Sequence, residues 1–250
     1  MFLLFRKRSF YTVIVITLCL LAGGCYVVMQ NQTAAPTLSW MMAEKTFLID
    51  PGHGGTFPGR VNDNVLEKDI NLDIALKLDQ LLEETGARVV MTRRSDIDLI
   101  PQESKEQKLL LQQRDDLAQR IQIGAQAQAD YFISIHCNSI PNEKWRGAQA
   151  FYNPDDPESK ALAQSIQQML VEHLGDYDRE ALPREDTYLF RNATMPTVIV
   201  ECGFLSNKEE AASLQNSAYQ EQLAWAVYTG ICNYMSAQNP QRIKKTFRRY

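Results

Sequence analysis

Between Thr46 and Ser236 the chain alternates short runs of β-branched and aromatic residues with longer runs whose apolar residues recur at helical spacing. This alternation narrows the possible folds more than any other feature. TFLID (46–50), ARVVMTR (87–93), DYFISIH (130–136), GAQAFY (147–152), TYLF (187–190) and PTVIVEC (196–202) read as strands. Residues 67–85 read as a helix, with Ile70, Ile74, Leu78, Leu81 and Leu82 on one face and Gly86 ending the pattern; so do 109–128, 157–174 and 217–236. Apolar strands that take turns with helices need a layer against each sheet face. The expected class is therefore α/β: a single domain with a twisted, mostly parallel or mixed sheet of about six strands, flanked by helices on both faces. Two stretches break the pattern, 95–108 and 175–186. Both are charged and interrupted by proline, and both read as surface loops of the kind that cover sites.

The first thirty residues follow another rule. Arg6, Lys7 and Arg8 precede an apolar run from Phe10 to Met29, close to the roughly twenty residues that cross a bilayer core, and such a basic flank stays cytoplasmic. Three fates fit the segment: an uncleaved membrane anchor, a cleaved signal peptide, or lipidation of Cys25 after Ala22-Gly23-Gly24. Tyr26 to Met29 prolong the apolar run past that point and favour the anchor. In each case the rest of the chain lies outside the cytoplasm. The expected division is an anchor or signal at 1–30, a linker at 31–45, a catalytic domain at 46–238 and a basic tail at 239–250. The tail reads as solvated, or as touching an anionic membrane or wall polymer.

The formal net charge of −4 gives no basic footprint for a nucleic-acid partner. Beyond the N-terminal segment only Cys137, Cys202 and Cys232 remain. That odd number, without C-x-x-C spacing, argues against a disulfide framework and for small buried hydrophobes.

In α/β sheets functional groups gather at the carboxyl edge, where strands end. Three strands here end on or near a metal ligand or acid: TFLID runs into His53, DYFISIH ends on His136, and PTVIVEC delivers Glu201. Taken singly, His53 also fits as a turn residue and His136 as a hydrogen-bonded core imidazole. Glu201 follows Val198-Ile199-Val200, and a carboxylate at the end of a buried run is costly unless paired or coordinated. Catalytic zinc takes two histidines and a carboxylate and leaves a fourth position open. Glu67 opens the helix that follows the His53 loop, where the helix dipole favours an ionised carboxylate. Strand alternation puts Cys137 opposite His136 and so outside such a group. Spacing alone leaves the metal site and the structural reading side by side. His173, late in a helix and without a partner motif, reads as a surface residue.

IDPGHGG (49–55), VLEKD (65–69), SIHCNS (134–139) and VECGFLSN (200–207), in that order over nearly all of 46–236, closely resemble the zinc-dependent N-acetylmuramoyl-L-alanine amidases. SIPNEKWRGAQAFYNPDD, the long 95–108 loop and the N-terminal apolar segment look like the germination-specific, spore-cortex branch. The resemblance implies one zinc ion held by His53, Glu67 and His136, with Glu201 as the catalytic glutamate. It further implies hydrolysis of the amide between N-acetylmuramic acid and L-alanine of a peptidoglycan stem peptide, a step toward muramic lactam, and an activating partner protein. The expected location is exocytoplasmic, in the forespore intermembrane space or cortex. Asn138 and Arg191 are candidate substrate contacts, and Gly52, Gly54 and Gly55 let the backbone turn tightly. The loop TFPGRVNDN departs from the more glycine-rich version common in the family. The alternatives are another zinc peptidoglycan hydrolase, such as a carboxypeptidase or deacetylase, and a wall-binding protein without catalysis.

Overall fold

The computed structural model describes residues 15–24, 39–62, 64–100, 109–175 and 178–238. Fourteen elements follow one another from Thr46. They are β1 (Thr46–Pro51), β2 (Val61–Asn62), β3 (Val65–Leu66), α1 (Glu67–Glu83), β4 (Arg88–Met91), α2 (Leu109–Ala127), β5 (Tyr131–Asn138), β6 (Gln149–Tyr152), α3 (Pro157–Leu174), β7 (Leu182–Pro183), α4 (Tyr188–Asn192), β8 (Thr197–Phe204), α5 (Lys208–Leu214) and α6 (Ser217–Gln238). Six strands form one sheet in the order β4-β1-β5-β8-β6-β7. β4, β1, β5 and β8 run parallel, β6 pairs antiparallel with β8, and β7 runs parallel to β6. The expected α/β class and mixed sheet are what the chain forms.

Alternation along the strands divides the core. Phe47, Ile49, Ile133, Ile135, Val198 and Val200 point to the face packed by α1, α3 and α6. Leu48, Phe132, Phe151 and Ile199 point to the other face, under α2 and α4. The second face also receives the polar sequence positions Asp50, Ser134, His136 and Glu201, which alternate with the first set. Cys137 joins the first cluster, opposite His136 as its position requires.

β1 connects through α1 to β4 on one side, and the chain returns through α2 to β5 on the other side of β1. The strand order therefore reverses at β1 and β5, and the carboxyl ends there open a crevice, the usual place for a ligand in such sheets.

The sequence reading and the structure part at several places. TYLF is not a strand: Tyr188–Asn192 is a short helix, with Ala193 N donating to the Leu189 carbonyl at 2.8 Å. Its adjacent Leu189 and Phe190 both bury in one cluster, which an alternating strand cannot do. The sixth strand comes instead from within the 175–186 stretch, where Leu182 and Pro183 pair with Phe151 and Tyr152. Leu182 and Pro183 thus form the edge of the sheet, and both stay exposed. Within the TFPGRVNDN loop, β2 and β3 form a small antiparallel hairpin. α3 follows its sequence signals, with Asp156 Oδ1 accepting from Glu158 N, Pro157 in the first turn, and Gly175 closing it in the left-handed region.

At the N-terminal end, residues 39–43 of the expected linker form a helical turn. Met42 is fully buried in the core, and Ser39 Oγ donates to the Thr85 carbonyl at 2.8 Å. Residues 15–24 form an exposed helical stretch, and among the described residues no helix is long and apolar enough to cross a membrane. The rest of the 1–30 segment, including Cys25, lies outside the described residues, as do residues 31–38, 101–108 and the basic tail.

Candidate active site

β1 ends at Pro51, and the chain turns sharply through Gly52 and His53. His53 is a non-glycine residue at φ 63°, a conformation that costs free energy and needs outside support. Two buried arginines supply that support. Arg93 Nε and Arg120 Nη2 donate to the His53 carbonyl at 2.7 and 2.9 Å. Arg93 also donates to the carbonyls of Pro51, Gly52, Ser95 and Lys68, so one guanidinium joins the His53 turn to the start of α1. Arg120 pairs in turn with Asp50 beneath the turn and with Asp116.

Glu67, the first residue of α1, has only 6 % of its side chain exposed. The first amides of that helix are met by the preceding loop: Glu67 N donates to the Arg60 carbonyl at 2.9 Å and Lys68 N to the Pro58 carbonyl at 3.1 Å. Glu67 Oε1 lies 3.2 Å from His53 Nε2 and 3.0 Å from His136 Nδ1, and accepts from Cys137 N at 3.2 Å. Its Oε2 accepts from Arg60 N at 2.8 Å. Burial pushes the Glu67 carboxyl upward, but the hydrogen bonds from His136 and His53 outweigh it and hold the group below the usual carboxylate range. For His136 burial disfavours the charged ring, yet Glu67 prevails and raises its pKa.

His53, Glu67 and His136 each offer a ligand atom, and these three atoms lie within 4.8 Å of one another. The two imidazoles meet edge to face at 4.9 Å. Space for this approach depends on two glycines. A Cβ on Gly52 would stand 2.2 Å from the His136 ring, and one on Gly59, at φ 68°, would stand 2.5 Å from Glu67 Oε2 and 2.6 Å from the His53 ring. Gly59 lies in the TFPGRVNDN loop, so the substituted loop keeps the glycine that the ligand group needs.

Glu201 lies directly beside His136, its partner in the β5–β8 register. It is buried, and its Oε2 has no hydrogen-bond partner. Burial raises its pKa; Glu67 adds to the rise, and His136 and Arg184 oppose it. A buried carboxylate with a raised pKa and a free oxygen is suited to take and return a proton. His53, His136 and Glu201 line one end of a cavity of about 380 Å³ whose other walls include Phe57, Arg184 and Tyr188.

The structure thus brings together four of the six residues singled out in the sequence. Asn138 follows an irregularity in the β5–β8 register, and its carbonyl accepts from Leu205 N at 2.8 Å. Arg191 is exposed in the last turn of α4, and its Nε donates to the Glu185 carbonyl at 2.9 Å. Neither lines the cavity. Sequence reasoning passed over Arg93, Arg120 and Arg184. Arg93 stood at the end of an expected strand and Arg120 within an expected helix, and Arg184 stood among the charges of an apparent loop.

The model of the N-acetylmuramoyl-L-alanine amidase family matches residues 47–233, which include every residue of this site. The chain belongs to that family. It is 40 % identical over 195 residues to the germination-specific N-acetylmuramoyl-L-alanine amidase of Bacillus subtilis, covering 78 % of this chain and 81 % of that one. It is 33 % identical to the N-acetylmuramoyl-L-alanine amidase LytC of the same organism, over 76 % of this chain and 35 % of LytC. Among solved structures it resembles the CwlD amidase of Clostridioides difficile, determined in complex with the GerS lipoprotein, with a TM-score of 0.74 and 41 % identity over 77 % of this chain and 99 % of that one. The catalytic domain of the amidase CwlV from Bacillus (Paenibacillus) polymyxa gives a TM-score of 0.66 at 30 % identity, over 77 % and 98 %.

Proposed function

We propose that this amidase-family chain cleaves the amide between the lactyl group of N-acetylmuramic acid and L-alanine of peptidoglycan stem peptides, using one zinc ion held by His53, Glu67 and His136. The observation that carries the reading is the meeting of two imidazole nitrogens and a carboxylate oxygen within 4.8 Å, on the wall of a cavity that also holds buried Glu201. Two histidines and one carboxylate are a typical donor set of catalytic zinc, and no fourth side chain joins the group among the described residues, as an open site requires. Bound there, zinc supplies Lewis acidity, which makes water acidic enough to react near pH 7 and polarises a carbonyl.

The chain's own residues supply the rest. Arg93 and Arg120 hold the His53 turn, so the ligand atoms are positioned before metal arrives. Glu201 takes a proton from the attacking water and returns it to the departing nitrogen of L-alanine. Its unpartnered Oε2 leaves an acceptor for that proton.

The likeness to the germination-specific amidase and to CwlD supports action in spore cortex, where removal of the peptide prepares muramic residues for lactam formation. CwlD in complex with a lipoprotein supports an activating partner protein. We read residues 1–30 as the membrane segment that keeps the domain, residues 46–238, on the outer side.

Purified protein incubated with cortex peptidoglycan is expected to release new L-alanine amino termini. Released acetate or free D-alanine would instead overturn the reading. Glu201→Gln should keep its zinc and lose about 10²- to 10⁴-fold in kcat, whereas His136→Ala should lose zinc and activity together. Zinc content comes from metal analysis, and a His136→Ala protein with full zinc would remove His136 from the ligand set.

A further inference from the structure

Arg184 is the cation on the cavity wall that the proposed chemistry leaves unused. It follows β7, and the strand pairing fixes its start: Leu182 and Pro183 pair with Phe151 and Tyr152, and Arg184 N donates to the Tyr152 carbonyl at 3.0 Å. Its guanidinium lies over the Phe151 ring at 3.9 Å from the centroid. Farther along, Arg191 Nε holds the Glu185 carbonyl. The side chain is thus pre-set against the sheet.

The guanidinium is also underused. It approaches Glu201 Oε1 at 3.6 Å, beyond the length of a good hydrogen bond. An arginine carries five N–H donors in a planar fork that matches a carboxylate. Only 30 % of this side chain is exposed, and Phe57, Leu117, Leu189 and Ile199 share the cavity with it. A fixed, partly desolvated cation beside the reacting end of a site is built to receive an anion.

We propose that Arg184 is a specificity residue, binding the free carboxylate that the stem peptide carries on the residue after L-alanine. The proposal rests on the amidase reading, because it takes the stem peptide as the ligand. In a stem peptide that second residue is a γ-linked glutamate, and its α-carboxylate is either free or amidated. Arg184 would favour the free form, since the amide offers one acceptor oxygen and no charge.

The test uses two dipeptides, L-alanyl-D-glutamate and L-alanyl-D-isoglutamine, each capped as the N-methylamide at the γ-carboxyl so that only the α-carboxylate differs, and the two muropeptides that differ in the same way. Calorimetry on the zinc-loaded full chain gives dipeptide binding; steady-state kinetics gives kcat and KM separately. Wild type is expected to bind the carboxylate dipeptide about 10- to 100-fold more tightly than the amide, the range for a charge-assisted pair, and to show the same ratio in KM. Arg184→Gln should erase the ratio in both measurements, whatever it does to kcat, and Arg184→Lys should restore part of it. Equal binding of the two dipeptides by wild type, or a ratio that survives Arg184→Gln, overturns the proposal. If the ratio appears in binding while neither muropeptide is cleaved, the amidase reading falls and carboxylate recognition by Arg184 stands.

Discussion

Arg120→Met removes the charge that supports the His53 turn, and its cost follows from what each lost bond leaves behind. Arg120 is 2 % exposed and Asp50 is fully buried. Without the guanidinium, Asp50 keeps two hydroxyl donors, Thr92 Oγ1 and Ser134 Oγ, each at 2.7 Å, but no hydrogen-bonded cation, although Arg93 stays near it. Removing one partner of a buried pair costs about 3–5 kcal/mol. The bonds to the carbonyls of Pro51 and His53, at 3.1 and 2.9 Å, are lost as well. Arg93 Nε still reaches the same two oxygens at 3.0 and 2.7 Å, so neither is orphaned and little is added. Asp116, the other partner, lines the cavity, where water can reach it. Asp50 therefore sets the total, and for a domain of this size the melting temperature should fall by about 6–20 °C. Urea and thermal unfolding of Arg120→Met, Asp50→Asn and the double variant read it out. The double variant should be less destabilised than Arg120→Met alone, because it also removes the fully buried Asp50 charge that the single variant leaves unpaired. A single-variant loss under about 1 kcal/mol, or a double variant whose loss is the sum of the two singles, would refute the reasoning.

Gly59→Ala should cost about 1–2 kcal/mol for the left-handed backbone and should also weaken zinc retention, because the new Cβ meets both Glu67 and His53; chelator competition showing wild-type affinity would refute it. Acid should destabilise the zinc-free protein through Asp50. Burial raises its carboxyl pKa, but Arg120, Thr92 and Ser134 prevail and leave it lowered. A group lowered on folding stabilises above its unfolded pKa, about 4, and loses that contribution as pH falls through the folded value. Urea midpoints should therefore drop below about pH 4 less steeply in Asp50→Asn than in wild type; equal slopes would count against Asp50 as the source.

The α/β class and the placing of His53, His136 and Glu201 at one sheet edge were legible because burial and strand ends write themselves into composition. TFLID, DYFISIH and PTVIVEC are runs that only a covered sheet explains, and a polar residue closing such a run stands out. TYLF misled because four residues of β propensity say little about whether neighbours share a face, and Leu189 and Phe190 do. The strand at Leu182–Pro183 was invisible because two residues carry no period; their pairing to Phe151 and Tyr152 is set by tertiary packing alone. Arg93 and Arg120 were hidden for a related reason. Their partners are mostly backbone carbonyls and residues up to 70 positions away, and neither kind of partner leaves a mark in nearby sequence.

The two ends of the cavity are built by different means, and this bears on where substrate preference can change. At the metal end, His53, Glu67 and His136 sit on β1, α1 and β5, and the His53 turn is held through Arg93 and Arg120. A shift of any one element moves candidate ligand atoms that lie within 4.8 Å of one another, so substitutions there are expected to cost metal binding and stability together. The adjoining wall that carries Arg184 hangs on the two-residue pairing of β7 and on the Arg191 bond to Glu185. Its side chains are partly exposed and take no share in the ligand group. A substitution at Arg184 can therefore alter which stem peptide is held while leaving the metal end in place. Variation in specificity within this architecture is expected in residues 178–187 rather than in the turn that carries His53.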